Sequence, residues 1–570
     1  MARVRTDSFR GRVWVIPEPH ENAPIPGTPY PDFVTKLLRR RGVEDSNGAA
    51  TFLFDQETPA PDPTLMGGFE AGLNRIESAI RQDEAMAVYG DFDVDGVTAS
   101  VILIEAIRAL GGRVTPYIPD RFEEGYGVHD AALATLHAER GVSLVITVDC
   151  GLSSLEEVAA AKARGQDVVI LDHHSIPAAL PEAIAIVHPR LGSTGYPNGD
   201  LSAGGLAYRF APALMKRFGR PVEPDRWLDL ATMSTIADVA PLTGENRQIV
   251  RDGLRAIART SRPGLRALLE VAGYGGKELD AEAVSFGLAP RINAAGRLTH
   301  ALRAFDLLIE SDEEKAQLIA HELDTLNLQR RQMTIDALKR ADERLAETDI
   351  ATPITIIGDA AIPQGIIGLV AGRLAEERYR PAVVYEDGDE WCRGSCRSIP
   401  EFDIAEALRS CGELFEQHGG HAAAAGFTAR RAAMPQIRDR LTAVAEEQLQ
   451  NVRLEPRILV DGQVPLAALR GSQVAWLSRL GPFGEANPAP SFVSRDVLIA
   501  NARRVGGQGE HLRLTLRDGA SSWGGIGFRL GDCPAETGDR VDVVWSLRAS
   551  GGAGERRIEL EVRDLAPASP

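Results

Sequence analysis

The chain has 570 residues, 44% of them apolar, and its 63 Lys and Arg stand against 80 Asp and Glu for a formal net charge of −17. That length suits about three or four ordinary domains, and the near-average composition excludes disordered, collagen-like and disulfide-scaffold classes. No apolar run approaches the roughly 18 residues of a membrane span, the first stretch lacks a secretory core and cleavage site, and five scattered cysteines suit a reducing compartment, so a cytoplasmic protein without membrane contact is expected.

Residues 1–50 read as a Pro-rich N-terminal extension with a basic helix predicted over Phe33–Arg41. From about residue 84 short apolar runs alternate with helical patterns. Strands are predicted at Met86–Gly90, Val114–Ile118, Leu144–Val148 and Val168–Leu171, and helices at Val97–Leu110 and Ser153–Arg164. This alternation implies βαβ units and a parallel sheet covered by helices on both faces. Residues 203–270 read as mainly helical and complete a unit over 51–309. A charged helix, poor in Gly and Pro, is predicted from Glu310 to Glu347 and makes 310–350 a connector. A smaller α/β unit over 351–452 follows, with a strand at Pro353–Gly358, a helix at Gly365–Glu377, a strand at Ala382–Tyr385 and a helix near Met434–Gln450. Over 453–570 short strands alternate with Gly, Asp and Asn turns and predict a small β-barrel. From Glu455 onward 14 Arg balance 14 acidic residues, so the acidic excess lies upstream. Only six of the basic residues are Lys; Arg offers a fork for phosphate and a face for bases, although a GC-rich, Ala- and Arg-favouring genome is the simpler account of the bias.

The strongest local pattern is Asp91-Phe92-Asp93-Val94-Asp95-Gly96. It could open an EF-hand loop, but the twelfth position is Ile102 rather than Glu, and a strand rather than a helix precedes it. Asp149 closes the strand Leu144–Val148, and Asp172 closes Val168–Leu171 just before His173 and His174. In an open parallel sheet ligands bind beyond the carboxyl ends of the strands. One sheet edge therefore collects Asp91, Asp93, Asp95, Asp149, Asp172, His173 and His174. Any one of these Asp residues could be a cap or turn residue; three successive strands ending this way are harder to assign to caps. Crowded carboxylates repel and raise one another's pKa, a cost that divalent cations remove. Asp with His suits Mn²⁺ or Mg²⁺ better than thiolate-seeking metals, and the ligands suffice for two ions of the kind that serve phosphoryl displacement.

These motifs resemble the DHH phosphoesterase superfamily: Asp91–Gly96, Thr147–Gly151, Asp172-His173-His174 and Ser234–Leu242 are similar to its four motifs. Within it the match is to the RecJ family of single-stranded-DNA exonucleases, through Pro290–Arg297, Gly365–Ala371, Gly394–Ser398, Gly419–His421 and Ala424–Phe427, over roughly residues 60–565. The resemblance implies that Asp91, Asp93 and Asp149 hold one cation and that Asp95, Asp149, His173 and Asp238 hold the other, with Asp149 bridging. It makes Asp149, His174 and Asp95 catalytic, with His174 touching phosphate or completing the metal shell and Asp172 orienting an imidazole. It offers Arg291, Asn293, Arg297, Ser395, Arg397, Gly420 and His421 as substrate contacts. It implies 5′→3′ hydrolysis of single-stranded DNA to mononucleotides with two Mn²⁺ or Mg²⁺ ions, in DNA repair and recombination, by a monomer that works with a helicase or a single-strand-binding protein. One departure is Ile362-Pro363-Gln364 before Gly365, where the family usually has Trp-His.

Other readings stand beside these. Cys392, Cys396, His418 and His421 could hold zinc, although their H-x₂-H gap is short, and Gly419–Gly420 could be a plain glycine loop. Trp476, Phe483, Phe492, Arg503, Arg504, His511, Arg513, Phe528 and Arg529 interleave aromatics with cations as single-strand-binding OB barrels do, or else the aromatics fill the core. The function could instead be hydrolysis of short oligonucleotides or cyclic dinucleotides, or a non-catalytic replication scaffold.

Overall fold

Leu144–Val148 is buried at every position, as expected of a central parallel strand whose two faces both meet helices. The computed structural model describes residues 3–5, 7–17, 23–54, 60–192, 195–346, 352–550 and 557–568. In it, five parallel strands stand in the order Arg113–Tyr117, Ala85–Gly90, Leu144–Val148, Asp167–Leu171, Ala185–Val187. Side chains alternate across the pleat. Met86, Val88, Ile146, Val148 and Val169 enter the larger core, shared with the helices Val94–Ala109, Ala203–Arg217 and Leu228–Ala237. Ala87, Tyr89, Val145, Val168 and Ile170 enter a smaller one, closed by Asp130–Arg140 and Leu155–Ala163.

The helix Glu313–Ala346 has 34 residues and so spans about 50 Å. Its first half buries Ala316, Ile319, Ala320 and Leu323 in the larger core, and its second half buries Ala337 and Ala341 in the next unit. That unit pairs Thr355–Gly358 parallel with Ala382–Asp387 through the helix Gln364–Arg378, then adds Trp391–Arg397, Ala424–Arg430 and Gln417–His421 antiparallel. The segment read as a glycine loop is thus an edge strand. Cys392 and Cys396 face the core on alternate positions while His418 and His421 are exposed on that edge, so the zinc reading has no converging ligands.

Five strands close the C-terminal barrel: Ser491–Val505, His511–Asp518, Ser521–Gly527, Arg557–Pro567 and Arg540–Ser550, the last returning to the first. The chain's beginning belongs with it. Val13–Ile16 pairs parallel with Arg457–Leu459, Trp14 Nε1 donates to Asp564 at 2.8 Å, and Val34, Leu37 and Leu38 of the helix Asp32–Arg40 share the barrel's core. No helix among the described residues is long and apolar enough to cross a membrane.

Candidate metal centre and substrate cleft

The strand order runs second, first, third along the sheet, so the chain leaves the first and third strands in opposite directions and opens a crevice beyond their carboxyl ends. Asp91, Asp93 and Asp95 follow the first strand and Asp149 follows the third, facing one another across that crevice. Asp93 caps the helix Val94–Ala109, accepting from the Asp95 N–H at 2.9 Å and the Gly96 N–H at 3.2 Å. Gly96 is required here because a Cβ would lie 2.5 Å from the Asp91 nitrogen. Asp149 takes φ 63°, the left-handed region that Asp tolerates better than most residues. Asp172 is held by the parallel ladder through its N–H to the Val187 carbonyl.

Each carboxylate has a distinct environment. Asp95 accepts from the Ala203 and Gly204 N–H groups, both at 2.8 Å, and from the Ser234 hydroxyl. Asp172 accepts from Leu152 N–H at 3.0 Å, His173 N–H at 2.8 Å, His174 N–H at 3.1 Å and His174 Nδ1 at 2.7 Å. Burial alone would raise it, but these donors and the His174 charge hold it down at about 2. In return, burial would lower His174, and the Asp172 hydrogen bond and charge lift it to about 9. Asp172 thus spends its oxygens on the Leu152, His173 and His174 N–H groups and on the His174 ring. Asp91, Asp93 and Asp149 are different: burial first, and then repulsion from neighbouring carboxylates (Asp93 on Asp91, Asp95 on the other two), raise all three. Burial and the charge of Asp95 push Asp238 up to about 8. Burial also lowers His173, although Asp95 opposes it.

Three sets of ligand atoms lie within 4.8 Å of one another: Asp91, Asp93 and Asp149; Asp95, His173 and Asp238; Asp149, His173 and His174. His173 Nε2 sits 3.1 Å from Asp149 and 3.4 Å from Asp95. Asp91 Oδ1 is buried without a partner. A donor set of buried, mutually repelling carboxylates with imidazoles and an orphaned oxygen fits divalent cations.

Across the crevice lies the opposite charge. The helix Ala289–Leu298 packs beside the acidic turn, with Asn293 accepting from the Val94 N–H at 3.1 Å. Arg297 meets the smaller α/β unit at Gly365, whose missing Cβ would stand 2.0 Å from the Arg297 carbonyl oxygen. Burial, then Arg121 and Arg330, push Arg297 down to about 9, and burial lowers Arg397 and Arg121 as well. Arg397 donates to Ser395 Oγ at 3.1 Å and to its neighbour's carbonyl. Arg330 has a buried Nε without a partner. These cations are short of counter-charge and call for an anion.

Of the expected substrate contacts, Arg297, Ser395 and Arg397 converge on this cleft. Arg291 does not: it pairs with Asp324 at 2.8 Å and donates to the Gly287 carbonyl. Asn293 braces the acidic turn, and Gly420 (φ 141°) and His421 lie on the exposed edge strand. Pro363, at the departure from the family pattern, caps the helix Gln364–Arg378. Sequence reasoning missed Arg121, whose guanidinium lies 4.7 Å from the Phe92 ring centre, and Tyr126, whose hydroxyl stands 3.4 Å from His174 Nε2. Both lie in the segment between the strand Arg113–Tyr117 and the helix Asp130–Arg140, on the same edge of the sheet but too far past the strand for a strand-end rule to find them.

Comparison with known proteins accords with this geometry. The DHH family N-terminal domain matches residues 85–235, the DHHA1 domain residues 351–450 and the RecJ OB domain residues 460–564. The single-stranded-DNA-specific exonuclease RecJ of Bacillus subtilis (strain 168) is 35% identical over 537 residues, 94% of this chain and 68% of that protein. The chain belongs to the RecJ family. RecJ of Thermus thermophilus is 37% identical over 510 residues, covering 88% of this chain and 72% of its own. The crystal structure of RecJ from that organism in complex with Mn²⁺ matches with a TM-score of 0.81 at 29% identity, over 98% of this chain and 79% of that one. Its Mg²⁺ complex matches with a TM-score of 0.75 at 28% identity, over 98% of this chain and 78% of that one. The closed barrel, in which Phe492 and Trp545 are buried while Phe528 remains exposed, is the RecJ OB domain.

Proposed function

We propose that this protein is a metal-dependent, single-stranded-DNA-specific exonuclease that hydrolyses the terminal phosphodiester in the 5′→3′ direction and releases mononucleotides, in DNA repair and recombination. The observation that carries the reading is the buried carboxylate cluster facing, across one cleft, arginines that form no ion pair among the described residues, in a chain of the RecJ family. Asp91, Asp93 and Asp149 would hold one divalent cation, and Asp95, His173 and Asp238, with Asp149 bridging, the other. Such a pair of ions supplies an activated nucleophile near neutral pH and stabilises charge on the entering and leaving oxygens.

The chain's own groups do the rest. Asp172 fixes the His174 ring through Nδ1, leaving Nε2 to face the cleft as a donor to a phosphate oxygen. Ser395, Arg397 and Arg297, with Arg121 and Arg330, present donors to the backbone and the terminal phosphate from the far wall. His421 and Gly420 lie outside this set, and Arg291 supports the helix through Asp324. The short-oligonucleotide reading fits less well, because the match to the family runs through the barrel as well as the two α/β units.

All five cysteines are buried and free, which supports work in the cytoplasm. A monomer served with unpaired strands by a helicase or a single-strand-binding protein completes the proposal. Single strands labelled at either end provide the test. The 5′ label is expected to leave first as a mononucleotide, only with Mn²⁺ or Mg²⁺, while duplex resists. Preferred cleavage of dinucleotides, or turnover unaffected by chelator, would contradict it.

A further inference from the structure

The helix that carries Asn293 and Arg297 begins irregularly: Ala283–Leu288 forms a π-helix that runs directly into Ala289–Leu298. Such turns are rare and concentrate at functional sites. Within this one, Ala283, Val284, Gly287 and Leu288 are buried, whereas Phe286 is 77% exposed, more than any other large apolar side chain among the described residues. The segment is therefore packed firmly while its one aromatic ring faces water, an arrangement that sacrifices the burial a Phe ordinarily gains.

The position of that ring gives it a use. Phe286, Pro290, Asn293 and Arg297 follow one another at spacings of four, three and four, which puts them on one stripe of the helix. At one end of the stripe, Asn293 holds the acidic turn and Arg297 joins the arginines of the cleft. At the other end Glu282, a turn before Phe286, faces Arg548 of the barrel at 3.9 Å. Arg548 lies over the exposed ring of Phe528 at 4.9 Å, and His511 meets the same ring edge-on with 5.4 Å between ring centres. The stripe thus links an aromatic and cationic patch on the barrel to the cleft, with Phe286 about 10 Å along the helix from Asn293.

We propose that Phe286 is a stacking platform for one base of the single strand as it passes from the barrel to the metal centre. The inference rests on the exonuclease reading and adds a residue to it. An aromatic face accepts any base, so it suits a strand of arbitrary sequence. It also favours unpaired strands, because the bases of a duplex are already stacked on one another. Being exposed, the ring needs no rearrangement to receive its partner.

The test compares wild type, Phe286→Ala and Phe286→Trp on a long single strand and on a dinucleotide too short to reach the ring, alongside anisotropy measurements of strand binding. For Phe286→Ala, binding of the long strand and kcat/KM on it should weaken about 5- to 150-fold, chiefly through KM, while dinucleotide cleavage and the melting temperature stay unchanged. Phe286→Trp should restore wild-type behaviour. A strand carrying one abasic site should show the same loss in wild type at a single position, and no further loss there in Phe286→Ala. Unchanged kinetics in Phe286→Ala, which a protein-docking role for the ring predicts, or an equal loss on both substrates, would overturn the inference. A wild type that binds strands through Phe286 yet never cuts them would overturn the exonuclease reading alone.

Discussion

Buried carboxylates occur in both the barrel and the catalytic crevice, and they are treated in opposite ways. In the barrel, Asp542 is fully buried and answered by Arg5, by Arg495 at 2.9 Å and by the Asp496 N–H at 2.8 Å. Glu559 likewise meets Arg513 at 2.9 Å and Arg548 at 3.4 Å. In the crevice, Asp91, Asp93 and Asp149 crowd with Asp95, whose charge leads the repulsion felt by Asp93 and Asp149, and among the described residues none of the three forms an ion pair with Arg or Lys, while Asp91 keeps an oxygen with no partner. A buried charge that the chain itself pairs is architecture; a cluster that it leaves unbalanced is a place for ions the chain does not supply.

That contrast can be broken by experiment. The largest effect is expected for Asp149→Asn, which should cut metal-dependent nuclease activity by about three orders of magnitude or more. Without metal the same variant should melt no lower than wild type, since it deletes a buried charge repelled by its neighbours. Its counterpart in the barrel, Asp542→Ala, should instead lose about 3–5 kcal/mol in a denaturant titration, because the buried pairing with Arg5, Arg495 and the Asp496 N–H is broken from one side. Loss of stability in the first variant and none in the second would invert the comparison.

Metal should stabilise only through the crevice. Free Mn²⁺ at about 100 times its dissociation constant should add about 2.7 kcal/mol to wild type and much less to Asp149→Asn, as read by calorimetric melting with and without chelator. Asp172→Asn should lower activity by about 10- to 100-fold, because it releases the His174 ring that Asp172 fixes through Nδ1. The smallest effect is expected beside Asp238, where Val239 is held at φ 57° and is 62% exposed. Strain of this kind costs about 1–3 kcal/mol, so Val239→Gly should gain about 1 kcal/mol in stability.

The two regions also differed in how far they could be read in advance. The parallel strands were legible because they are short apolar runs, three of them closed by acids, and Leu144–Val148 emerged with the expected bounds. The fifth strand, Ala185–Val187, is too short to carry a pattern. The tie between Val13–Ile16 and Arg457–Leu459 joins segments far apart in the chain, and nothing local announces such pairing. Gly419–His421 looked like a loop because glycines weaken strand propensity, yet its partner Ala424–Arg430 recruits it. Within the site, residue type located the acids, but it could not distinguish Arg397 in the cleft from Arg291 engaged by Asp324. That choice is made by tertiary packing, which a linear pattern does not contain.

The most direct test is anomalous diffraction from a crystal soaked in manganese. Two peaks are expected, one among Asp91, Asp93 and Asp149 and the other among Asp95, His173 and Asp238, with no manganese at Asp542 or Glu559. A crevice without anomalous signal, its carboxylates turned away from one another, would contradict the account.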